Sequence, residues 1–547
     1  MRVIIIGAGV AGLATAALLT REGYDVKVLE RHQSVGGRAG LLERDGFRFD
    51  TGPSWYLMPT VFEHFFQLLG TSAHGELDLV TLDPGYRVFL EPDSARKTAQ
   101  HIDIPHGEAR VREAFDRLEP GAGEALGKYL NSARDTLEMA EKHFLYNPFT
   151  SLRTLTNREI LRRLPDLASL LGFSLEKHVA RRFSHPALRQ ILGYPAVFLG
   201  THPAAAPALY HLMSALDLGD GVYYPMGGFW GLIQKLEHLA NTGGAQIITG
   251  ADVQKIETRE PVSGARRAGL RGGKRSRVTG VRWQDADGVE HFEGADVVVS
   301  AADLHHTETQ LLNENDRTYP ARWWDRRKSG PGAVLTFLGV RGSLPQLPHH
   351  SLFFTRDWRR NFDAIFGRDR QIPDPASAYV CRASATDSSA APTGYEQLFI
   401  LTPVPADPQI GVGGPDGSGD ALVEEVSRRS IEQIAKWANI PDFPDRITVR
   451  QTIGPADFAR DYSAWSAGML GPSHTLRQSA MFRAHGESKK VAGLFYAGAA
   501  TAPGIGVPMC LISAEIVLKR LRGDHSAGPI SLDRRPGLRA RDPVGEP

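Results

Sequence analysis

The chain opens on a short apolar run, Arg2 to Ile6, then a glycine turn and an alanine- and leucine-rich stretch from Ala11 to Glu22. The run has the look of a buried strand and the stretch that of a helix, which Gly23 ends. A second apolar run, Asp25 to Leu29, follows at once. Strand, helix and strand within about 30 residues predict a parallel βαβ unit. Phe62 to Leu69 reads as helix, and Val88 to Pro92 with His101 to Pro105 as paired strands. From Ala109 to His211 helical periodicity dominates, interrupted by Pro148, Pro165, Pro186 and Pro195, which predicts a helix-rich insertion. Phe229 to Asn241 is a further helix, and Ala245 to Glu257, Val278 to Trp283 and Val297 to Ser300 have β character. Val334 to Val340, Ser377 to Cys381 and Gln397 to Pro403 predict an antiparallel sheet in a second domain. Ala421 to Trp437 is an amphipathic helix, Leu494 to Gly498 a last strand and Met509 to Arg520 a last helix.

Two stretches resist this patterning. From Pro261 to Arg277 Gly, Arg and Ser prevail, as in a solvated loop between strands; past Leu521 the tail has little to bury and is expected to be disordered. Within the helical insertion, Ile160, Leu161, Leu164, Leu167, Leu170 and Leu171 recur at helical spacing beside Arg153, Arg158, Arg162 and Arg163, with Pro165 dividing the run. Such a basic amphipathic helix fits either a membrane headgroup layer or the protein core. Met1 to Leu19 has the composition of a signal peptide, but its glycines fall where a strand turns into a helix, so it reads as fold.

Composition narrows the function classes. With 547 residues, two to four substructures are expected at about 150 residues each. The 63 Lys+Arg balance 62 Asp+Glu, giving no basic surplus for nucleic acid. Cys381 and Cys510 are distant in sequence and have no His or Cys at ligand spacing, so neither a disulfide framework nor a metal site is expected, and the compartment is read as cytoplasmic.

The chemistry begins at Gly7-Ala8-Gly9-Val10-Ala11-Gly12, a G-x-G-x-x-G turn. Gly7 permits the turn, Gly9 admits a pyrophosphate against backbone and Gly12 lets the helix approach the strand. The helix N-terminus offers N–H groups to phosphate, and Glu30, closing the next strand, is placed to accept ribose hydroxyls. Near the other end, Phe495 to Pro508 forms a second glycine-rich turn before a helix, with Gly498, Ala499, Val507 and Pro508 as cofactor contacts.

After Glu30 comes Arg31-His32-Gln33-Ser34-Val35-Gly36-Gly37-Arg38, which resembles the Gly-Gly-Arg segment of amine oxidases and carotenoid desaturases. The resemblance implies FAD, with Arg31, Gly36, Gly37 and Arg38 in its site and Arg38 on the pyrophosphate. Phe49-Asp50-Thr51-Gly52-Pro53-Ser54, Gly221 to Gly228 and the C-terminal turn are similar to bacterial-type phytoene desaturases, collinearly from residue 1 to 522. The fold implied is α/β: a Rossmann-like FAD-binding domain, an antiparallel-sheet substrate domain and a helical, membrane-associated insertion. Residues 1–70, 226–305 and 451–522 are assigned to the FAD-binding part, 71–225 to the substrate region and insertion, 306–450 to the substrate sheet and 523–547 to the tail.

The resemblance further implies dehydrogenation of a C40 hydrocarbon, phytoene toward lycopene, counts Pro53 and Ser54 among the cofactor-binding residues and places Val253 at the adenine, an ordinary buried strand valine being the other reading. A long hydrophobic polyene is the expected substrate, quinone or oxygen the electron acceptor, and the inner face of the cell membrane the attachment surface. Arg153, in a segment similar to one that holds an arginine near the flavin, is the catalytic candidate; a solvent-facing arginine is the other reading. Tyr210, His211 and Tyr224 line the cavity or belong to the core. The family's Thr-His-Pro-Gly turn is altered, with Ala502 in place of histidine. An amine oxidase, a carotenoid isomerase or ketolase, and a flavin-binding interaction protein without turnover remain as alternatives.

Overall fold

The computed structural model describes residues 1–92, 100–150, 158–260 and 275–532. Its first sheet is wholly parallel, ordered Leu494–Tyr496, Val297–Ser300, Arg2–Ile6, Asp25–Glu30 and Gln246–Thr249. Both faces are covered, which explains why these strands are apolar throughout rather than alternating. The helices Val10–Arg21, Gly228–Thr242 and Val507–Arg522 pack together on one side, in a core that holds Val3, Leu13, Leu232 and Leu511. Met1 to Leu19 is thus a core strand and helix. Gly12 is what lets that helix approach: a Cβ there would stand 1.9 Å from the Gly7 carbonyl oxygen.

The stretch Ala245 to Glu257, read as one β segment, is two strands in two sheets. Gln246–Thr249 ends the parallel sheet, and Gly250 (φ 69°) turns the chain into Asp252–Arg259, which pairs with Ser276–Gln284. Ile247 and Ile248 before the turn and Val253 and Ile256 after it give both halves β character, so that character alone could not locate it.

The third sheet runs Ile447–Ile453, Gly332–Arg341, Tyr395–Val404, Ala378–Cys381, His350–Phe354, Tyr86–Leu90 and His101–Ile104, antiparallel except where His350–Phe354 meets Tyr86–Leu90. This pairing sets Cys381 opposite His350 and beside His349, the histidine neighbours that sequence spacing had not shown.

Pro165 divides the basic amphipathic stretch into Arg158–Arg162 and Leu164–Gly172. Ile160, Leu167 and Leu170 face inward, while Leu161 and Leu171 are exposed. The tail is ordered at its start, against expectation. Ile530 is buried, its N–H donates to Glu515 at 2.6 Å, and Lys519 donates to the carbonyls of Tyr146, Ser526 and Gly528.

Candidate active site

The C-terminal edge of the parallel sheet opens on a cavity of about 720 Å³. Gly7, Gly9, Glu30, Arg31, Gly36, Gly37, Arg38, Pro53, Ser54, Val253, Gly498, Ala499, Val507 and Pro508 all line it. Of the expected cofactor residues Gly12 is absent from the wall; it acts through the packing described above.

Two helix N-termini converge here. No side chain caps Val10–Arg21 at Gly9 or Val507–Arg522 at Gly506, so their first N–H groups carry unspent donor capacity toward the cavity. The Gly36–Gly37 pair folds against the first turn, with Gly36 N–H donating to the Ala8 carbonyl at 2.8 Å and Gly37 close to Gly9. Both have positive φ, 107° and 55°. Glu30 holds the same turn from beneath, accepting from Ala8 N at 2.7 Å and His32 N at 2.9 Å. Ala251 N–H donates to the Glu30 carbonyl, which brings Val253 to this end of the cavity beside Leu311 and His306.

Arg38 lies over the Tyr462 ring, 5.6 Å from its centroid, and its Nε and Nη2 are buried without a hydrogen-bond partner. A half-buried guanidinium with two buried, unpartnered donor atoms beside two open helix termini has the donor set for a pyrophosphate. A dinucleotide cofactor fits these residues. Arg31, also on the cavity wall, donates through its guanidinium to Ser463 and to the carbonyls of Arg460 and Asp461, bracing that segment against the cavity.

Several residues in and behind the cavity wall were not foreseen. Asp303 and His306 follow the strand Val297–Ser300, whose end lies beside the first glycine turn through the bond from Ala301 N to the Ile6 carbonyl. An apolar strand running into Ala301-Ala302-Asp303 was the available signal, since ligands gather at such strand ends. Arg483 is buried and donates to carbonyls of Pro472, Gln478, Ala499 and Thr501, pinning the C-terminal turn; burial lowers its pKa to about 10. Nothing local in the sequence marks it.

Two of the quoted motifs also meet. Asp50 accepts from Phe229 N at 2.7 Å and Trp230 N at 3.0 Å, capping the helix that begins at Gly228. Burial raises its pKa to about 6. Asp387 accepts from Gly227 N and the Tyr224 hydroxyl.

Beyond the turn the cavity is apolar, with Trp55, Phe198, Phe354, Trp358, Phe362 and Phe399 among its walls. Phenols there point their hydroxyls into the protein: Tyr194 to Asp217 at 2.8 Å, Tyr379 to Ser54 at 2.7 Å, Tyr210 to Ser479 at 2.8 Å. His474 takes up the space over Gly504, near the position where Ala502 stands in the family's histidine place. Its Nδ1 meets the Tyr210 hydroxyl at 2.7 Å, its Nε2 accepts from Ile505 N at 3.2 Å, and burial holds its pKa well below the usual imidazole value. His211, bonded to Ser132 and the Ala208 carbonyl, and Tyr224 are core residues, whereas Tyr210 lines the cavity. Arg153 lies outside the described residues.

Comparison with known proteins agrees with this geometry. The model of the family "Flavin containing amine oxidoreductase" matches residues 10–517. The chain is 38% identical over 526 residues to a carotenoid 3,4-desaturase of Haloarcula japonica, covering 95% of this chain and 98% of that protein. It is 31% identical to a zeta-carotene-forming phytoene desaturase of Myxococcus xanthus, over 98% of this chain and 96% of that one. Among solved structures, an oxidoreductase from Methanosarcina mazei superposes with a TM-score of 0.59 at 18% identity, over 95% of this chain and all of that one. A putrescine oxidase does so at 0.57 and 13%, over 96% and 99%; both likenesses speak to the fold. The chain therefore belongs to the flavin containing amine oxidoreductases, within them to the carotenoid desaturases, and is an FAD-dependent oxidoreductase.

Proposed function

We infer that the protein desaturates an acyclic C40 carotenoid, phytoene or one of its partly desaturated products. One observation carries this reading: the cavity that holds the dinucleotide-binding turns continues, past Ser54 and Trp55, into an aromatic and aliphatic chamber whose phenols are bonded to protein. A hydrocarbon offers no heteroatom to recognise, so such a wall must align it by shape and exclude water. FAD, when bound, supplies the acceptor for a hydride equivalent. Arg38 and the two open helix ends would hold its pyrophosphate, and the turn from Gly498 to Pro508 its flavin end. Arg153 remains the candidate for charge control. Quinone or oxygen is the proposed terminal acceptor.

The chamber reaches the surface among Leu171, Leu476 and Phe482, which line it while being 38%, 43% and 55% exposed. Near Leu171 in sequence, Leu161 and Phe173 are exposed among exposed Arg158, Arg162, Arg181 and Arg182. Apolar side chains set among arginines suit an anionic headgroup layer, so the chain is proposed to dock peripherally on the inner face of the cell membrane. No helix among the described residues is long and apolar enough to cross a bilayer.

A second reading, 3,4-desaturation of an already conjugated carotenoid, is favoured by the higher identity to the Haloarcula japonica protein. Expression in cells that accumulate phytoene, and separately in cells that accumulate lycopene, followed by pigment chromatography, separates the two. New polyenes from phytoene support the first; products from lycopene alone support the second. Flavin-loaded protein that leaves both pigments unchanged refutes carotenoid desaturation.

A further inference from the structure

Behind the chamber wall, joined to Ser54 through the Tyr379 hydroxyl, lies a cluster that the desaturation chemistry does not use. His349, His350 and Cys381 are buried together, with one ligand atom of each within 4.8 Å of the others. The pairing of His350 with Cys381 across two strands creates it. His349 Nδ1 meets the Thr386 hydroxyl at 2.7 Å, and His350 Nδ1 meets the Tyr379 hydroxyl at 2.8 Å. The Nε2 atoms of both rings have no hydrogen-bond partner. Burial holds both imidazoles neutral, His349 at about 3 and His350 well below its usual value, and raises the free Cys381 thiol to about 12.

Two buried imidazole nitrogens without a protein partner, beside a buried thiol, are a costly arrangement. Metal-binding histidines characteristically anchor the second ring nitrogen on a hydroxyl, carbonyl or carboxylate, as Thr386 and Tyr379 do here. We propose that His349, His350 and Cys381 form a three-coordinate site for a thiophilic d10 cation, with Cu+ the ion it fits.

Imidazole and thiolate together suit copper and zinc rather than magnesium or calcium. Charge and ligand number decide between the two. Binding Cu+ exchanges the thiol proton for the metal, Cu+ plus thiol giving a copper–thiolate and one H+, and leaves the buried group neutral. Zn2+ would leave a net positive charge and calls for a fourth ligand; among the described residues the cluster offers three. Nitrogen and sulfur donors lie about 2.0–2.3 Å from a d10 ion such as zinc, so binding draws the three atoms closer by side-chain rotation. Trp55, stacked on His350 at 4.7 Å and part of the chamber wall, places the site directly behind the substrate space.

The test reads metal binding and needs no turnover, so it stands or falls apart from the carotenoid reading. Flavin-loaded protein is titrated anaerobically with Cu+ against the chromophoric chelator bicinchoninate, and in parallel with Zn2+. The expected result is one tightly held Cu+ per chain, at least tenfold tighter than Zn2+, with X-ray absorption showing two nitrogen ligands and one sulfur. Cys381→Ser abolishes uptake and Cys510→Ser preserves it. Thr386→Val keeps all three ligands but frees the His349 ring, weakening binding about 10–100-fold. No stoichiometric uptake by the folded protein, uptake that survives Cys381→Ser, or tighter binding of Zn2+ than of Cu+ overturns the assignment.

Discussion

Single positions in the glycine turn separate folding from cofactor binding. A Cβ at Gly12 would sit 1.9 Å from the Gly7 carbonyl oxygen and 3.4 Å from the Ala301 methyl, with no flexible side chain to yield. Gly12→Ala is therefore expected to cost at least about 3 kcal/mol of stability, the upper end of overpacking penalties, measured as a fall in melting temperature. A Cβ at Gly9 finds only the Gly36 carbonyl oxygen at 3.8 Å and the Gly37 Cα at 4.0 Å, ordinary contacts. Gly9→Ala should fold with near-normal melting but lose FAD affinity at least tenfold in flavin titration, because the new methyl occupies the pyrophosphate's approach. Arg38→Gln removes a charged donor set that has no protein partner; a loss of about 1.5–3 kcal/mol, or roughly 10–100-fold in FAD affinity, is expected. Asp217 gives a pH signature. Burial raises its carboxyl to about 7 although Tyr86 and Tyr194 donate to it. The folded state thus holds the proton more tightly than the unfolded chain, so this group's stabilisation is full below about pH 4 and is lost as pH rises through 7. Asp217→Asn carries no such charge, so its melting temperature relative to the parent should climb between pH 5 and pH 8; a constant difference would refute the buried charge.

Elements were readable from sequence wherever one pattern matched one environment. The helix Ala421–Trp437 has the expected bounds because a charged face and an apolar face alternate cleanly along it. The strands Gly332–Arg341 and Tyr395–Val404 extend beyond the expected runs because their ends pair with each other even where the residues are polar. Ala245 to Glu257 failed for another reason: both halves have β character, and the change of sheet happens at one glycine, Gly250. The tail after Gly523 failed because composition counts how much apolar surface a segment has, not whether one residue meets a vacant place. Ile530 does, and three carbonyls around it satisfy the buried Lys519 ammonium. Ending the chain at Gly523 removes two of those carbonyls and uncovers Ile530's neighbours. A destabilisation of about 3–5 kcal/mol is expected, the usual cost of stranding a buried charge, read by denaturant unfolding. Unchanged stability would mean that the return of the tail contributes nothing to the fold.

At the scale of the whole molecule, function arises from joining sheets of which sequence reading could name the parallel βαβ unit and the antiparallel substrate sheet, but not how they assemble. The cofactor residues were legible because phosphate binding needs glycines at fixed spacing. The chamber was not, because its aromatic walls come from separated segments, Trp55, Phe198, Phe354 and Phe399 among them, each ordinary as a core residue. Membrane docking lay between these cases, since a basic amphipathic run fits the core and the headgroup layer equally. The structure divides its residues: Ile160, Leu167 and Leu170 turn inward, while Leu161 and Phe173 are exposed on the same stretch of chain as Leu171, which lines the chamber's opening. A water-insoluble polyene reaches such an opening more readily from a bilayer than through solvent, so docking and turnover should separate in one experiment. Replacing Leu161 and Phe173 by aspartate removes two apolar anchors, each contributing about 1.5–3 kcal/mol when buried, and adds charge of the same sign as anionic lipid. Binding to vesicles of anionic phospholipid should fall at least tenfold, and conversion of vesicle-borne substrate should fall with it. Flavin content and conversion of detergent-dispersed substrate should stay near the parent values, because neither residue lines the cavity. Equal losses with both forms of substrate would place these residues in the fold rather than at the membrane.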